Sequence, residues 1–246
     1  MRRPATLRFS AHRLVSLHLL LGIAACNGDA PPEPGSPEYA EAVSAFYRGV
    51  AAVQVGESAL ADSSFLRVTE LVPSEPAGWA DRGIAALSRQ EPERAARWLE
   101  TARELAPEHS GIQFASALAA RAQGRLDEAG EHLRRAIELD PANLRALYLL
   151  VQIIEQQDQP SSAEQAGDLI DRILAAQPTN LTALGERARL AAKAGDAAAL
   201  AAALDSLEAR IDTVTAASAL AAPLRDARAA AAAGDARDAA APITFL

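Results

Sequence analysis

Three prolines, Pro73, Pro107 and Pro141, stand 34 residues apart. A fixed period of that length is the mark of a helical repeat array. More than proline returns at this interval. Ala61, Ala95 and Ala129 share it, as do Phe65, Leu99 and Leu133, and Gly49 and Gly83 lead to Ala117. Residues of one size that return to one place argue for stacked helix pairs, each burying its apolar side against the next.

Helical spacing of apolar residues fills in the units. In the first, Val43, Phe46, Val50 and Val53 form a stripe, with Ala45, Gly49 and Ala52 beside it. Gly56 should end that helix, because a left-handed residue costs glycine nothing. A second helix is expected over 58–71, with Ala61, Phe65 and Val68 inward. The next unit opens with Trp79 and Gly83, turns at Gln90-Glu91, restarts at Pro92 and buries Ala95, Leu99 and Ala102. The third has Phe114, Ala117 and Leu118, a turn at Gly124, then Ala129, Leu133 and Ala136.

The fourth is less regular. Leu147, Leu150, Val151 and Ile154 make one helix, and Ala166, Ile170 and Ile173 the other. Pro178 comes 37 residues after Pro141, so three residues are in surplus, and the turn around Pro160 is where they are expected. In the fifth, Gly195 should stop one helix and Asp196 cap the next, ahead of Leu200, Leu204 and Leu207. Ala227, Ala230, Gly234-Asp235 and Ala239 begin a partial sixth.

Composition agrees. Half of the residues are apolar but only 4% aromatic. Abundant alanine suits helices that approach closely. The net charge is −8, and the first 25 residues hold Arg2, Arg3, Arg8 and Arg13 without an acid, so the remainder is four units more negative still. Phosphate backbones repel such a chain, and nucleic acid is not an expected partner. One cysteine, Cys26, excludes an internal disulfide, and only His109 and His132 lie beyond residue 25, which leaves little for a transition-metal site.

The amino-terminal arginines precede an apolar run from Leu14 to Ala25. Twelve residues are too few to span a bilayer, but this order of parts describes a secretory signal peptide over residues 1–25. It closes on Ile23-Ala24-Ala25-Cys26. That sequence resembles the lipobox of bacterial lipoproteins, and the resemblance implies a covalent lipid on Cys26, cleavage before it, and anchorage to a membrane of the bacterial cell envelope. Asn27 follows where the inner-membrane retention signal has Asp, which implies the outer membrane, facing the periplasm. Residues 26–36, rich in Pro and Gly, are expected to form an extended tether.

Trp79, Gly83, Ala95, Leu99, Ala102 and Pro107, with Ala117, Ala129, Leu133, Ala136 and Pro141, resemble the tetratricopeptide repeat family. The resemblance implies an all-α fold, a right-handed α-solenoid of antiparallel helix pairs over 37–246, with about five units and a partial sixth. It also implies a concave groove, lined by the first helix of each unit, that takes a protein or peptide partner. Carried over, the groove residues are Val43, Phe46, Val50, Val53, Ala80, Ile84, Leu87, Phe114 and Leu118 at an apolar end. Arg121, Arg145, Tyr148, Gln152, Glu155 and Arg189 make a polar one. The Lys and Asn that let relatives grip a terminal carboxylate are missing: Phe46/Val50, Ala80/Ile84 and Phe114/Leu118 stand there. Arg48, Arg82 and Arg187 occupy a place where the family prefers leucine. Either they snorkel past a packed stem or the helices are rotated.

No Gly-rich phosphate loop occurs and no His or Cys pair has ligand spacing, so neither enzyme activity nor a cofactor beyond the lipid is expected. Glu131-His132 and Arg134-Arg135 read as solvated helix faces. The array stops within its sixth unit and ends on Ile243, Phe245 and Leu246, which favours a second expectation: the recruiting arm of a longer envelope protein.

Overall fold

The structure is a computed structural model, and it describes residues 31–159, 161–211 and 226–230. Cys26, Asn27, Pro160, Gly234, Asp235, Ala239, Ile243, Phe245 and Leu246 lie outside the described residues. The chain divides into two compact units, Met1–Leu139 and Asp140–Leu246. The expected single array thus falls into two bodies, described in turn.

In the first unit, α1 (Pro37–Val55) pairs with α2 (Ser58–Leu71), α3 (Pro76–Ser88) with α4 (Pro92–Leu105), and α5 (Ser110–Ala122) with α6 (Leu126–Leu139). The first helix of each pair begins where the chain supplies a capping acceptor, and α1, α3 and α4 also begin with a proline. Ser36 Oγ accepts from the Tyr39 N–H at 3.1 Å, and Pro37 takes a first-turn place where its missing N–H costs nothing. Glu75 and Pro76 do the same for α3, and His109 Nδ1 accepts from Ile112 N–H at 3.3 Å to start α5. The last part of the expected tether is a turn rather than extended chain. Ser36 N–H donates to the Glu33 carbonyl at 2.9 Å, with Gly35 at φ +93°.

Small residues hold the pairs close. Gly49 lies against the Phe65 ring, and Gly83 lies against Leu99; a Cβ built on either would stand 2.6 Å and 2.5 Å from those side chains. Around them Ala45, Ala52, Ala61 and Val68 form one core, and Ala80, Ala86, Ala95, Ala102 and Ile112 another. Beyond its sequence neighbours α2 and α4, α3 also packs directly on α1 and α5. The first helices of the three pairs therefore lie side by side.

In the second unit α7 (Leu144–Gln157) pairs with α8 (Ser162–Ala176), and α9 (Leu181–Ala194) with α10 (Ala197–Ile211). Asn143 and Asn180 cap α7 and α9 by accepting from Ala146 and Ala183 N–H, each at 3.1 Å. Asp196 accepts from Ala199 N–H at 2.9 Å, the cap foreseen for α10. Leu200, Leu204 and Leu207 are buried as expected, and Ala227, from the helical piece at 226–230, packs against them.

The turn inside every pair contains one residue with positive φ: Gly56 (+81°), Gln90 (+60°), Gly124 (+74°), Asp158 (+44°) and Gly195 (+75°). The first four are 34 residues apart and the last is 37 further on. The alanine that begins the second helix's core follows five residues later in the first three pairs (Ala61, Ala95, Ala129), but eight later in the fourth (Ala166). The surplus thus lies between Asp158 and Ala166, around Pro160. The longer turn is tied by Ser162, whose Oγ accepts from Gln159 N–H and donates to the Ile154 carbonyl, both at 2.9 Å.

The described residues are all helical or connecting, without a strand. Within each unit this is the architecture of an α-solenoid, each helix pair packed on the next in chain order.

Candidate partner-binding face

On α1 the buried residues are Ala42, Ala45, Phe46, Gly49 and Ala52. The small residues let α2 approach, and that leaves Val43, Val50 and Val53 at the border, half-buried. Phe46 does not belong with them. It is 6% exposed and meets Phe65 edge-on with ring centroids 6.1 Å apart, so the residue expected in the groove is core. Its stripe neighbours differ because Phe46 lies on the side that α2 and α3 cover. Ala80 is likewise buried, in the core between α3, α4 and α5.

Ile84 and Leu87 on α3 are half-buried against the core, and Phe114 and Leu118 on α5 are half-buried too. With the α1 valines they make an apolar face along the adjoining first helices. Arg121, at the end of α5, is half-buried and engaged with a neighbour.

α3 also carries two buried charged residues, Arg82 turned away from this face and Asp81 at its border, and sequence reasoning assigned neither a place there. Arg82 is buried, with 9% of its side chain exposed. Its guanidinium lies 4.1 Å from the Trp98 ring centroid and donates through Nε to Asp62 Oδ1 at 3.4 Å. The departure from the family's leucine is resolved: the stem and the flat head pack as a leucine would, and the charge is met by an acid of α2 and an aromatic face of α4. Arg187 reaches Asp171 of α8 at 3.2 Å, while Arg48 stays exposed.

Asp81 is 4% exposed and makes no hydrogen bond or ion pair. Burial alone pushes its carboxyl up to about 7, since charge is disfavoured where water is excluded. Helix geometry places it. At ~100° per residue, Gly78 and Arg82 point toward α2, and Gly83 toward α4. Asp81 lies about 60° from Gly78 and about 100° from Arg82, about 20° from the exposed Ser88 and between Ala77 and Ala85, which join the core under α1. Ile84, on the apolar face, is about 60° away on the side opposite Gly78, so Asp81 borders that face beside α1.

His132 corrects another expectation. Glu131 is solvated, but His132 is half-buried, and its Nδ1 lies 2.9 Å from Gln113 Oε1. Gln113 donates its amide N–H to the Pro107 carbonyl at 3.1 Å, so its oxygen accepts and His132 Nδ1 carries the proton. Burial and then Arg103 hold this imidazole below the usual histidine range. Arg134 and Arg135 are exposed as read.

In the second unit Arg145 and Gln152 are exposed, each engaged with a neighbour. Tyr148 donates its hydroxyl to Asn180 Oδ1 at 2.9 Å. Glu155 and Arg189 take up one another's charge. Arg189 Nη2 reaches both Glu155 oxygens at 2.7 Å and Glu186 Oε2 at 2.6 Å. The polar end expected of the groove is thus partly closed by its own ion pairs.

Among the described residues no group of three or more His, Cys, Asp or Glu could hold a metal ion, and no helix is long and apolar enough to cross a membrane.

An apolar face along the first helices of stacked hairpins is the arrangement of helical-repeat proteins. Residues 46–110 and 120–169 match family models described as tetratricopeptide repeat, and the chain carries such repeats there. The fold is similar to the crystal structure of MamA protein, at 14% identity over 70% of this chain and 91% of that one, TM-score 0.58. It is also similar to residues 41–end of MamA from Desulfovibrio magneticus, at 20% identity over 55% and 77%, TM-score 0.51. An O-GlcNAc transferase from Thermobaculum terrenum matches at 18% identity over 56% of this chain and 27% of its own, TM-score 0.52. These likenesses speak for the fold alone. No curated protein sequence matches the chain.

Proposed function

We propose that the chain is a docking scaffold that captures an extended peptide or amphipathic helix of another protein on the first-helix face of its first unit. The observation that carries this reading is the row of half-buried apolar side chains, Val43, Val50, Ile84, Leu87, Phe114 and Leu118, on three adjoining helices. Such a row offers several anchors at helix spacing, the form in which grooves take amphipathic segments. A photo-crosslinking amino acid at Val50 or Leu118, used in intact cells and read by mass spectrometry, should trap one protein reproducibly. An equal yield from a probe at the exposed outer residue Glu104 would sink the assignment.

The scaffold acts at a membrane of the bacterial envelope, held by lipid on Cys26 and facing the periplasm. The support is the lipobox-like Ile23-Ala24-Ala25-Cys26 after a basic and then apolar start. Several acyl chains on one residue hold firmly, since each buried methylene contributes ~0.8 kcal/mol. Labelled palmitate should enter the protein, and Cys26→Ser should release it from membranes. A Cys26→Ser protein that stays membrane-bound would remove the anchor.

A further inference from the structure

We propose that Asp81 selects the partner: the apolar face of the first unit takes a segment that carries one Arg or Lys, whose cationic head meets the Asp81 carboxylate while its apolar neighbours cover the valines and leucines around it. This rests on the docking face proposed above and says what chemistry that face demands.

The argument begins with an acid that has no partner. Among the described residues, the polar side-chain atoms fully sealed from solvent without a hydrogen bond are Ser64 Oγ, Trp98 Nε1 and Arg228 Nε. Asp81 is not one of them, though it too is unpartnered. Its carboxylate therefore keeps a narrow opening to solvent, and the nearest solvent-reaching places on α3 by helix angle are Ser88, about 20° away, and Ile84, about 60° away.

No titratable group faces it. α1 brings Phe46, Val50 and Val53 to this region, α2 brings Val68 and Thr69, and α5 brings Ile112, Ala115 and Ala119 to α3. Arg82, next in sequence, turns away to Asp62 and Trp98. Burial is the sole cause of the Asp81 shift, so no charge on the elements packed against it acts there.

An apolar segment laid over this opening would seal an unpaired acid, and a segment with Asp or Glu there would add repulsion. Both outcomes cost free energy. A guanidinium or ammonium supplies the missing partner in a place where water does not screen the pair. The site is thus built for a cation within an apolar stretch, and it discriminates against neutral and acidic rivals by leaving the acid unpaired.

The test selects peptides of about a dozen random residues on the purified full chain, and in parallel on Asp81→Asn and Phe114→Asp. The expected result is enrichment of apolar peptides with Arg or Lys at one position, bound about tenfold or more weakly by Asp81→Asn, the order of a desolvated charge pair. Affinity for the wild-type chain should also rise between about pH 5.5 and pH 8 as Asp81 ionises, and stay flat for Asp81→Asn. Selected peptides without a basic preference, or bound equally by Asp81→Asn, would overturn this inference and leave the docking face standing. Failure of the wild-type chain to enrich any peptide above Phe114→Asp would overturn both. A readout that needs no variant is the carboxyl 13C shift of Asp81 in the wild-type chain. Its midpoint should fall on adding a selected peptide, and an unmoved midpoint counts against the proposal.

Discussion

Gln90 and Gly124 hold the same left-handed backbone, φ +60° and +74°, at the same place in successive repeats. Glycine adopts it freely, whereas a side chain costs roughly 1–2 kcal/mol there. Gln90 bears that cost because the turn between α3 and α4 requires the conformation: Gln90 N–H donates to the Leu87 carbonyl at 3.0 Å and Glu91 N–H to that of Ala86 at 3.0 Å. Gln90→Gly should therefore stabilise the first unit. After the added backbone entropy of the unfolded chain, a gain of about 0.5–1 kcal/mol remains, to be read from urea unfolding. No gain, or a loss, would show that the Gln90 side chain contributes more than its backbone costs.

Two helical glycines should respond in opposite ways to alanine. At Gly83 the new methyl would meet Leu99 at 2.5 Å, and at Gly185 nothing stands within 4 Å. Gly83→Ala should cost about 1–3 kcal/mol through overpacking. Gly185→Ala should stabilise by roughly 0.5–1 kcal/mol through helix propensity alone. Thermal unfolding of the two variants measures both, and equal effects would refute the close approach of α3 and α4.

Phe46 and Phe114 share a place in the repeat but not a role. Phe46→Asp puts an unpaired charge in the core beside Phe65 and should unfold the first pair, with loss of circular dichroism. Phe114 is half-buried, so Phe114→Asp should keep most of the helicity and lose capture of the partner. Preserved helicity in Phe46→Asp would return Phe46 to the groove.

Asp81 makes stability depend on pH in a sense opposite to most acids. Its carboxyl is raised from 3.8 to about 7 in the folded chain. Below pH ~3.8 the group is neutral in both states and costs nothing. As pH rises toward about 7 the unfolded chain ionises first, and stability drains at ~1.4 kcal/mol per pH unit, to a loss of order 4 kcal/mol above that range. Asp81→Asn should abolish this dependence, and its advantage over wild type should grow from acid to neutral pH in chemical unfolding. A constant difference across the range would place the Asp81 titration elsewhere.

Much of the fold was legible in the sequence because repetition leaves a ruler. The repeat interval located the five helix pairs of the described residues, the glycines at three of their turns, the small residues where helices cross, and the surplus around Pro160. Periodicity along one helix also gave the apolar sector of α1. It could not tell Phe46 from Val43 and Val50, since residues a turn apart share a sector and only the neighbouring helices decide which part of it is covered.

The rest was decided by packing. Arg82 reads as an error in the pattern until Asp62 and Trp98, 20 residues before and 16 after, close around it. Gln90 and Asp158 give no local sign of left-handed backbone, because the turn imposes it from both flanking helices. Asp81 sits in the run Ala80-Asp81-Arg82 like any charged residue of a helix exterior. It becomes a buried, unpartnered acid because α3 is covered from α1, α2, α4 and α5 at once. The order of residues fixes which way a side chain leaves its helix; what waits there depends on distant segments that only the folded chain brings near.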